Sequence, residues 1–389
     1  MRLLPALGQG LVLALGLLAL SAPAHAQFSG PEYQTDAKNS SGRDLDNLKE
    51  KVDSYNEKVP AKPNVYVIDG NAFEPISAAD QAASMGAGVN LFEGDDGYFA
   101  GKPSKFSDAD IQRIADAGFK TIRVPLFAFT HIADTQGNLD EGYLKRIDHL
   151  IDLATQAHLN IILDEHNYNE CAKDADGCAV LLSNVWYDLA LRYQNAPNNV
   201  MFELLNEPNG KVDADIWNGW IPDLVAQVRD FNKTRNIIIG PDMWNSIGEL
   251  DKLKLPADDH IIVTFHYYEP FHFTHQGASW AGPEVQALRD VHWTGTADQM
   301  AALNADFDKA AAWAKANNRP LFLGEFGSYG LVNKDMDDRA AWTRAVSQAA
   351  ADRGIPRALW VYEGSGGFGI HDEDGNTWVE PLKNALLLK

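Results

Sequence analysis

The sequence predicts an α/β protein built as a (β/α)8 TIM barrel, on three observations. Eight short apolar runs alternate with amphipathic stretches between residues 64 and 389. Polar residues interrupt those runs at one end, where such a barrel carries its chemistry. An open doubly wound sheet would usually show a glycine-rich phosphate turn after its first strand, and Gly94-Asp95-Asp96-Gly97 is not one.

The chain opens with Met1 and Arg2, an apolar run Leu11–Leu20 and the small-residue site Ala24-His25-Ala26. That order is expected of a secretory signal peptide, residues 1–26, removed after Ala26. The run is too short to cross a bilayer core, which needs roughly 20 apolar residues. Residues 27–63 form a polar extension or linker. Leu45, Leu48, Val52, Tyr55 and Val59 make a short helical stripe in it, and Pro60 and Pro63 close it.

The catalytic barrel is expected over 64–389. Its strands are predicted at Ala87–Glu93, Thr121–Phe127, Ile161–His166, Val200–Asn206, Ile237–Asp242, Ile261–Tyr267, Leu321–Phe326 and Ala358–Tyr362. Helical stripes lie between them. Tyr143, Leu144, Ile147, Leu150, Ile151 and Ala154 share one face, as do Ile216, Trp217, Trp220, Leu224, Val228 and Phe231. Asp108 and Asp140 sit at helix starts, where an acidic side chain meets exposed N–H groups.

Composition narrows the partners. Net charge is −21, and losing Arg2 with the leader takes it to −22. Such a chain is repelled by nucleic acid and by anionic membrane, while a neutral glucan raises no objection. Ten Trp suit sugar binding and suit a large core equally. Cys171 and Cys178 are the only cysteines. Seven residues apart in an exported chain, they are expected to form a disulfide. No spacing assembles three histidines for zinc, and Asp372-Glu373-Asp374-Gly375-Asn376 lacks the rest of a calcium loop and reads as a turn. Neither metal nor cofactor is expected.

The strand ends carry the candidates. Asn90 lies in the first strand, Arg123 in the second, and His166 ends the third. Asn206-Glu207 ends the fourth, His266 and Tyr268 the sixth, Glu325 the seventh, and Trp360 lies in the eighth. Glu207 and Glu325 each follow a long apolar run, where a carboxylate is costly without a partner. Aimed into one cleft at about 5–5.5 Å, they suit double displacement at a sugar. Arg123 can hold one carboxylate ionised and Tyr268 can donate to the nucleophile. Asn206 can bond the sugar 2-hydroxyl, and Trp360 offers a flat face to a pyranose. His166 and His266 can orient carboxylates or hydroxyls. Trp244, Phe271, Phe273 and Trp280, after the fifth and sixth strands, are expected at the cleft rim. Trp217, Trp220 and Trp313 are expected in the core.

Arg123-Val124-Pro125, Asn206-Glu207-Pro208, His266-Tyr267-Tyr268 and Gly324-Glu325-Phe326-Gly327 resemble, in order and position, the signature blocks of glycoside hydrolase family 5, the large cellulase family. The resemblance runs from about Ala87 to Leu388. It implies Glu207 as acid/base, Glu325 as nucleophile, and Arg123, His166, Asn206, His266, Tyr268 and Trp360 around the cleaved sugar. Residues 266–280, HYYEPFHFTHQGASW, resemble family members that act as endo-β-1,4-glucanases. The chain departs at Asn167, where many relatives have a second histidine, and at Glu363, where many have asparagine. The expected protein is a secreted, monomeric retaining glycosidase acting on cellulose-like glucans. Mannan, xyloglucan and β-1,3-glucan are alternative substrates, and a non-catalytic polysaccharide-binding barrel is the alternative of another class.

Overall fold

The computed structural model describes residues 65–66, 73–92, 98–99, 106–363, 367–371 and 377–389. The leader, the 27–63 stripe, the Gly94–Gly97 turn, Glu93 and the Asp372–Asn376 turn lie outside the described residues. Eight parallel strands close into a barrel in sequential order. They are β1 (Ala87–Asn90), β2 (Thr121–Leu126), β3 (Asn160–Glu165), β4 (Val200–Glu203), β5 (Ile237–Ile239), β6 (Ile261–Tyr267), β7 (Leu321–Phe326) and β8 (Arg357–Leu359). Pairing of β1 with β8 closes the ring.

Helix α1 (Ala78–Met85) precedes β1, and α2 (Asp108–Ala117), α3 (Glu141–Gln156), α4 (Ala175–Arg192) and α5 (Ala214–Phe231) follow the first four strands in turn. Next come α6 (Ala297–Asn317), α7 (Met336–Asp352) and α8 (Glu380–Leu387). The expected alternation fails once. Between β5 and β6 there is no long helix, only short helical turns such as the 3-10 segment Ile247–Lys252.

Local chemistry sets the helix ends and faces. The Asp140 carboxylate accepts from the Tyr143 N–H and starts α3. The six-residue stripe predicted for that helix is the buried face, each large aliphatic member contributing about 1.5–3 kcal/mol on burial. Asp108 opens α2, with Ser107 as its cap. On α5 the stripe needs correction, because Ile216 is 40% exposed. It points away from the face that the adjacent Trp217 buries, where the Trp217 indole N–H donates to the Gly240 carbonyl. Trp217 and Trp313 are buried and Trp220 is half-buried.

Inside the barrel, side chains two apart along a strand share a face. Ile162, Met201, Ile238, Ile262, Phe322 and Ala358 form an apolar layer that α1 closes with Ala78, Ala82 and Met85. Two residues further along β3 and β4 the inward positions are Asp164 and Glu203, both fully buried. The interior therefore passes from hydrocarbon to charge toward the strands' C-terminal ends.

Cys171 and Cys178 are joined in a disulfide. Closing so short a loop constrains the unfolded chain by about 2–3 kcal/mol in the chain-entropy picture. Reduction with dithiothreitol is therefore expected to lower urea-unfolding stability by about that much. An unchanged midpoint would show that the link does not stabilise the fold.

Candidate active site

Arg123 is the hub of the barrel mouth. It is fully buried, projecting from β2. Its Nε and Nη2 donate to the two oxygens of Glu203 at 2.7 and 2.9 Å. Its Nη1 donates to Glu325 Oε1 at 2.8 Å and to Asn90 Oδ1 at 2.8 Å. Its Nη2 also reaches Asn206 Oδ1 at 2.7 Å and lies 3.1 Å from Asp164 Oδ2. One guanidinium thus faces three buried carboxylates and offsets the cost of burying their charge.

Glu325 sits near the end of β7, and the Tyr268 hydroxyl donates to its Oε2 at 2.9 Å. Burial pushes its carboxyl up, while Arg123 and the Tyr268 bond act in the opposite direction. Glu207 lies beyond β4, its backbone in the left-handed region at φ 43°. Few non-glycine residues adopt this conformation. Its side chain is 14% exposed, against 6% for Glu325. Burial drives Glu207 well above the usual carboxylate range, and the charge of Glu325 adds to this. Burial therefore raises both carboxyls and Arg123 opposes it at both, with Glu207 raised the more strongly because the charge of Glu325 adds to burial there, while the Tyr268 bond further favours the ionised form of Glu325. Oxygens of the two groups and a ring nitrogen of His266 all lie within 4.8 Å of one another.

Two histidines frame the pair. His266 Nδ1 is 2.7 Å from Glu207 Oε1, and its Nε2 is 3.2 Å from the Asn245 amide nitrogen. Burial, then the charge of Arg123, depresses its basicity, so the ring is neutral at pH 7. His166 Nδ1 is 2.6 Å from Asp164 Oδ2, and Asn206 Nδ2 lies 3.4 Å from its Nε2. Burial lowers His166 to about 3, so it too is neutral. Trp360 stacks nearly parallel on the His166 ring at 5.7 Å, with Phe92 beside it at 4.9 Å.

Most of the residues expected at the site converge here, and some placements need correction. Asn90 does not face the cleft. It is fully buried, with its oxygen on Arg123 and its amide donating to the Gly324 and Leu359 carbonyls. With both polar atoms committed, it holds Arg123 and the β7–β8 backbone rather than a sugar. Phe273 is likewise fully buried, against Trp342. Trp244 is half-buried, and its backbone N–H donates to the Pro208 carbonyl beside Glu207. Trp280 is half-buried against Tyr329 and Phe368. Strands β3, β4 and β8 end sooner than expected, so His166, Asn206, Glu207 and Trp360 stand on the loops that follow. Backbone bonds still pin three of these, from His166 N to Leu126 O, from Asn206 N to Glu165 O and from Trp360 N to Phe326 O.

Asp164, Glu203 and Asn245 were not anticipated. The first two left a signal, since each interrupts an apolar strand at an inward position. Asn245 left none. Among the described residues, two clusters have metal-ligand spacing: Glu207–His266–Glu325, and His292–Asp335–Asp338 at the surface. In the second, His292 Nδ1 is already 2.7 Å from Asp338 Oδ2. No helix among the described residues is long and apolar enough to cross a membrane.

A closed (β/α)8 barrel with two unlike carboxyls, one braced by arginine and tyrosine, beside aromatic rings at the C-terminal mouth is of the glycoside hydrolase class. The family profile described as Cellulase (glycosyl hydrolase family 5) matches residues 80–366, and the chain belongs to that family. It is 29% identical over 316 residues to Endoglucanase H of Acetivibrio thermocellus, covering 79% of this chain and 33% of that protein. The chain thus spans about a third of that relative's length. A hyperthermophilic endo-beta-1,4-glucanase solved in complex with substrate is 32% identical, with a TM-score of 0.75, covering 81% of this chain and 100% of its own. Thermotoga maritima Cel5A in complex with mannotriose substrate is 30% identical, with a TM-score of 0.72, covering 79% and 99%.

Proposed function

We propose that the chain hydrolyses internal β-1,4-glucosidic bonds of cellulose-like glucans by double displacement, with retention at the anomeric carbon. The observation that carries the retaining mechanism is the spacing of the pair, with Glu207 and Glu325 oxygens within 4.8 Å, and the likeness to an endo-beta-1,4-glucanase supports the substrate. Inverting enzymes hold their carboxyls about 6.5–9.5 Å apart to admit a water, and retaining ones about 5–5.5 Å. In the first step a Glu325 oxygen attacks the anomeric carbon, and the bond to the leaving glycosidic oxygen breaks as Glu207 protonates it. In the second, a water gives its proton to Glu207 and attacks the same carbon, releasing the Glu325 carboxylate.

The neighbours support these roles. Arg123 and the Tyr268 bond oppose the upward shift of Glu325 and favour its ionised form for attack, and burial favours the protonated form of Glu207 that the leaving group needs. Asn206 is placed to bond the 2-hydroxyl, and Trp360, stacked on His166, to take the apolar face of the ring. Trp244 and Trp280 are assigned to the rim. The same reading includes export through the 1–26 leader, residues 27–63 as a polar extension or linker ahead of the barrel, and a monomer that needs no cofactor.

The test is a panel of carboxymethylcellulose, mixed-linkage glucan, xyloglucan, mannan and laminarin, followed by reducing ends and viscosity. A viscosity drop that outruns reducing ends on the β-1,4-glucans is expected. The mannotriose complex of the Thermotoga relative makes mannan the second reading. Activity on mannan alone would move the substrate, and inactivity on all five would overturn the hydrolase assignment.

A further inference from the structure

Asn245 stands out by its backbone and its contact. Met243, Trp244 and Asn245 occupy the left-handed region in succession, at φ 51°, 59° and 56°. For residues with a Cβ each such conformation costs energy, and three in a row persist only where the surroundings impose them. Here they bring the fully buried Asn245 amide to 3.2 Å from His266 Nε2. Two glycines clear the space for it. A Cβ on Gly240 would fall 2.0 Å from Asn245 Oδ1, and one on Gly324 would fall 3.0 Å from His266 Nε2.

We propose that Asn245 is a positioning residue that fixes the tautomer of His266 and thereby directs the catalytic proton of Glu207 toward the substrate. The inference rests on the acid/base role proposed for Glu207. The amide nitrogen of Asn245 donates only, so His266 Nε2 must accept, and the ring proton resides on Nδ1. Nδ1–H then donates to Glu207 Oε1, 2.7 Å away. With Oε1 engaged as an acceptor, the proton of the acid form resides on the other oxygen, Oε2, free for the leaving group. With the opposite tautomer, Nδ1 would accept that proton at Oε1 and draw it away from the glycosidic oxygen. The same Nδ1–H also bonds the ionised form that must act as base in the second step. Glu207 otherwise faces Glu325, Arg123, Asp164, Glu203 and Tyr268, and His266 faces Arg123, His166 and Glu325. None of these is altered by a change at Asn245.

The experiment compares N245L, and N245A should the leucine variant not fold, with the unaltered protein and E207Q. Each is assayed on cellotetraose, whose leaving group needs a proton, and on 2,4-dinitrophenyl β-cellobioside, whose leaving group does not. For N245L, kcat/KM on cellotetraose is expected to fall by about tenfold or more, and on the aryl substrate by less than about threefold. The basic limb of the kcat/KM profile should move to higher pH, because Glu207 in its acid form gains an acceptor. A merely structural defect would lower both substrates alike and leave the limb in place, which would overturn the proposal. A limb that moves to lower pH would also overturn it, since that marks the reverse amide orientation. E207Q separates the two readings. If it slows both substrates equally, the acid/base role itself fails. If E207Q discriminates between them and N245L does not, only the role of Asn245 fails.

Discussion

Glu325→Gln is expected to lower kcat/KM on soluble β-1,4-glucan by about 10⁴-fold or more, with the thermal midpoint within a few degrees of the unaltered protein. Glutamine keeps the shape: its carbonyl oxygen can still accept from Arg123, which now bonds Glu325 at 2.8 Å, and its amide nitrogen can donate to the Tyr268 hydroxyl, which now donates to Glu325 at 2.9 Å. What it cannot do is form the glycosyl ester, so the first step loses its nucleophile. Stability should hold because the change removes a negative charge that faces Glu207. A 2-fluoro cellobioside with a good leaving group should label the unaltered protein at Glu325, read by peptide mass spectrometry. Label on Glu207 would reverse the roles, and a near-normal rate in Glu325→Gln would end the double-displacement mechanism.

Arg123→Met is expected to cost about 3–5 kcal/mol at pH 7 as well as nearly all activity, because it leaves Asp164, Glu203 and Glu325 buried without their cation. The pH dependence distinguishes this cause from a packing defect. Burial raises Asp164 and Glu203 from their ordinary values to about 7, even though Arg123 opposes it. A carboxyl raised in the folded state favours folding fully below its unfolded pKa and loses that contribution as pH rises through the folded value. Without Arg123 both folded values rise further, so the variant takes up protons at higher pH than the unaltered protein does. The stability gap between the two should therefore narrow from pH 7 to pH 5, measured by urea unfolding. A gap independent of pH would assign the loss to packing alone.

Much of the architecture was legible because it rests on local periodicity. Apolar runs bounded by polar residues mark eight strands whatever their neighbours are, and the α3 stripe follows from the 3.6-residue repeat alone. The convergence of Arg123, His166, Asn206, Glu207, His266, Tyr268 and Glu325 was legible for a related reason: a closed parallel barrel puts all its strand ends at one mouth. Where the reading failed, distance along the chain was the cause. Asn90, polar and near a strand end, has the local pattern of a cleft residue. Its burial depends on Gly324 and Leu359, far away in sequence. Phe273 has the loop position of a rim residue, and is buried because that loop folds back onto Trp342.

Short-range pattern and the closure rule of the fold together encode the barrel, its order of strands and the set of polar residues gathered at its mouth. How those residues are wired to one another is a property of the folded packing. Nothing in the spacing of Arg123, Asp164 and Glu203 reveals that one guanidinium holds both carboxylates together with Glu325. Nor does anything near Asn245 reveal that a left-handed turn carries its amide to His266. Hydrogen bonds over such separations are set by strand stagger and loop course, which depend on the packing of the whole barrel and leave no trace in local periodicity.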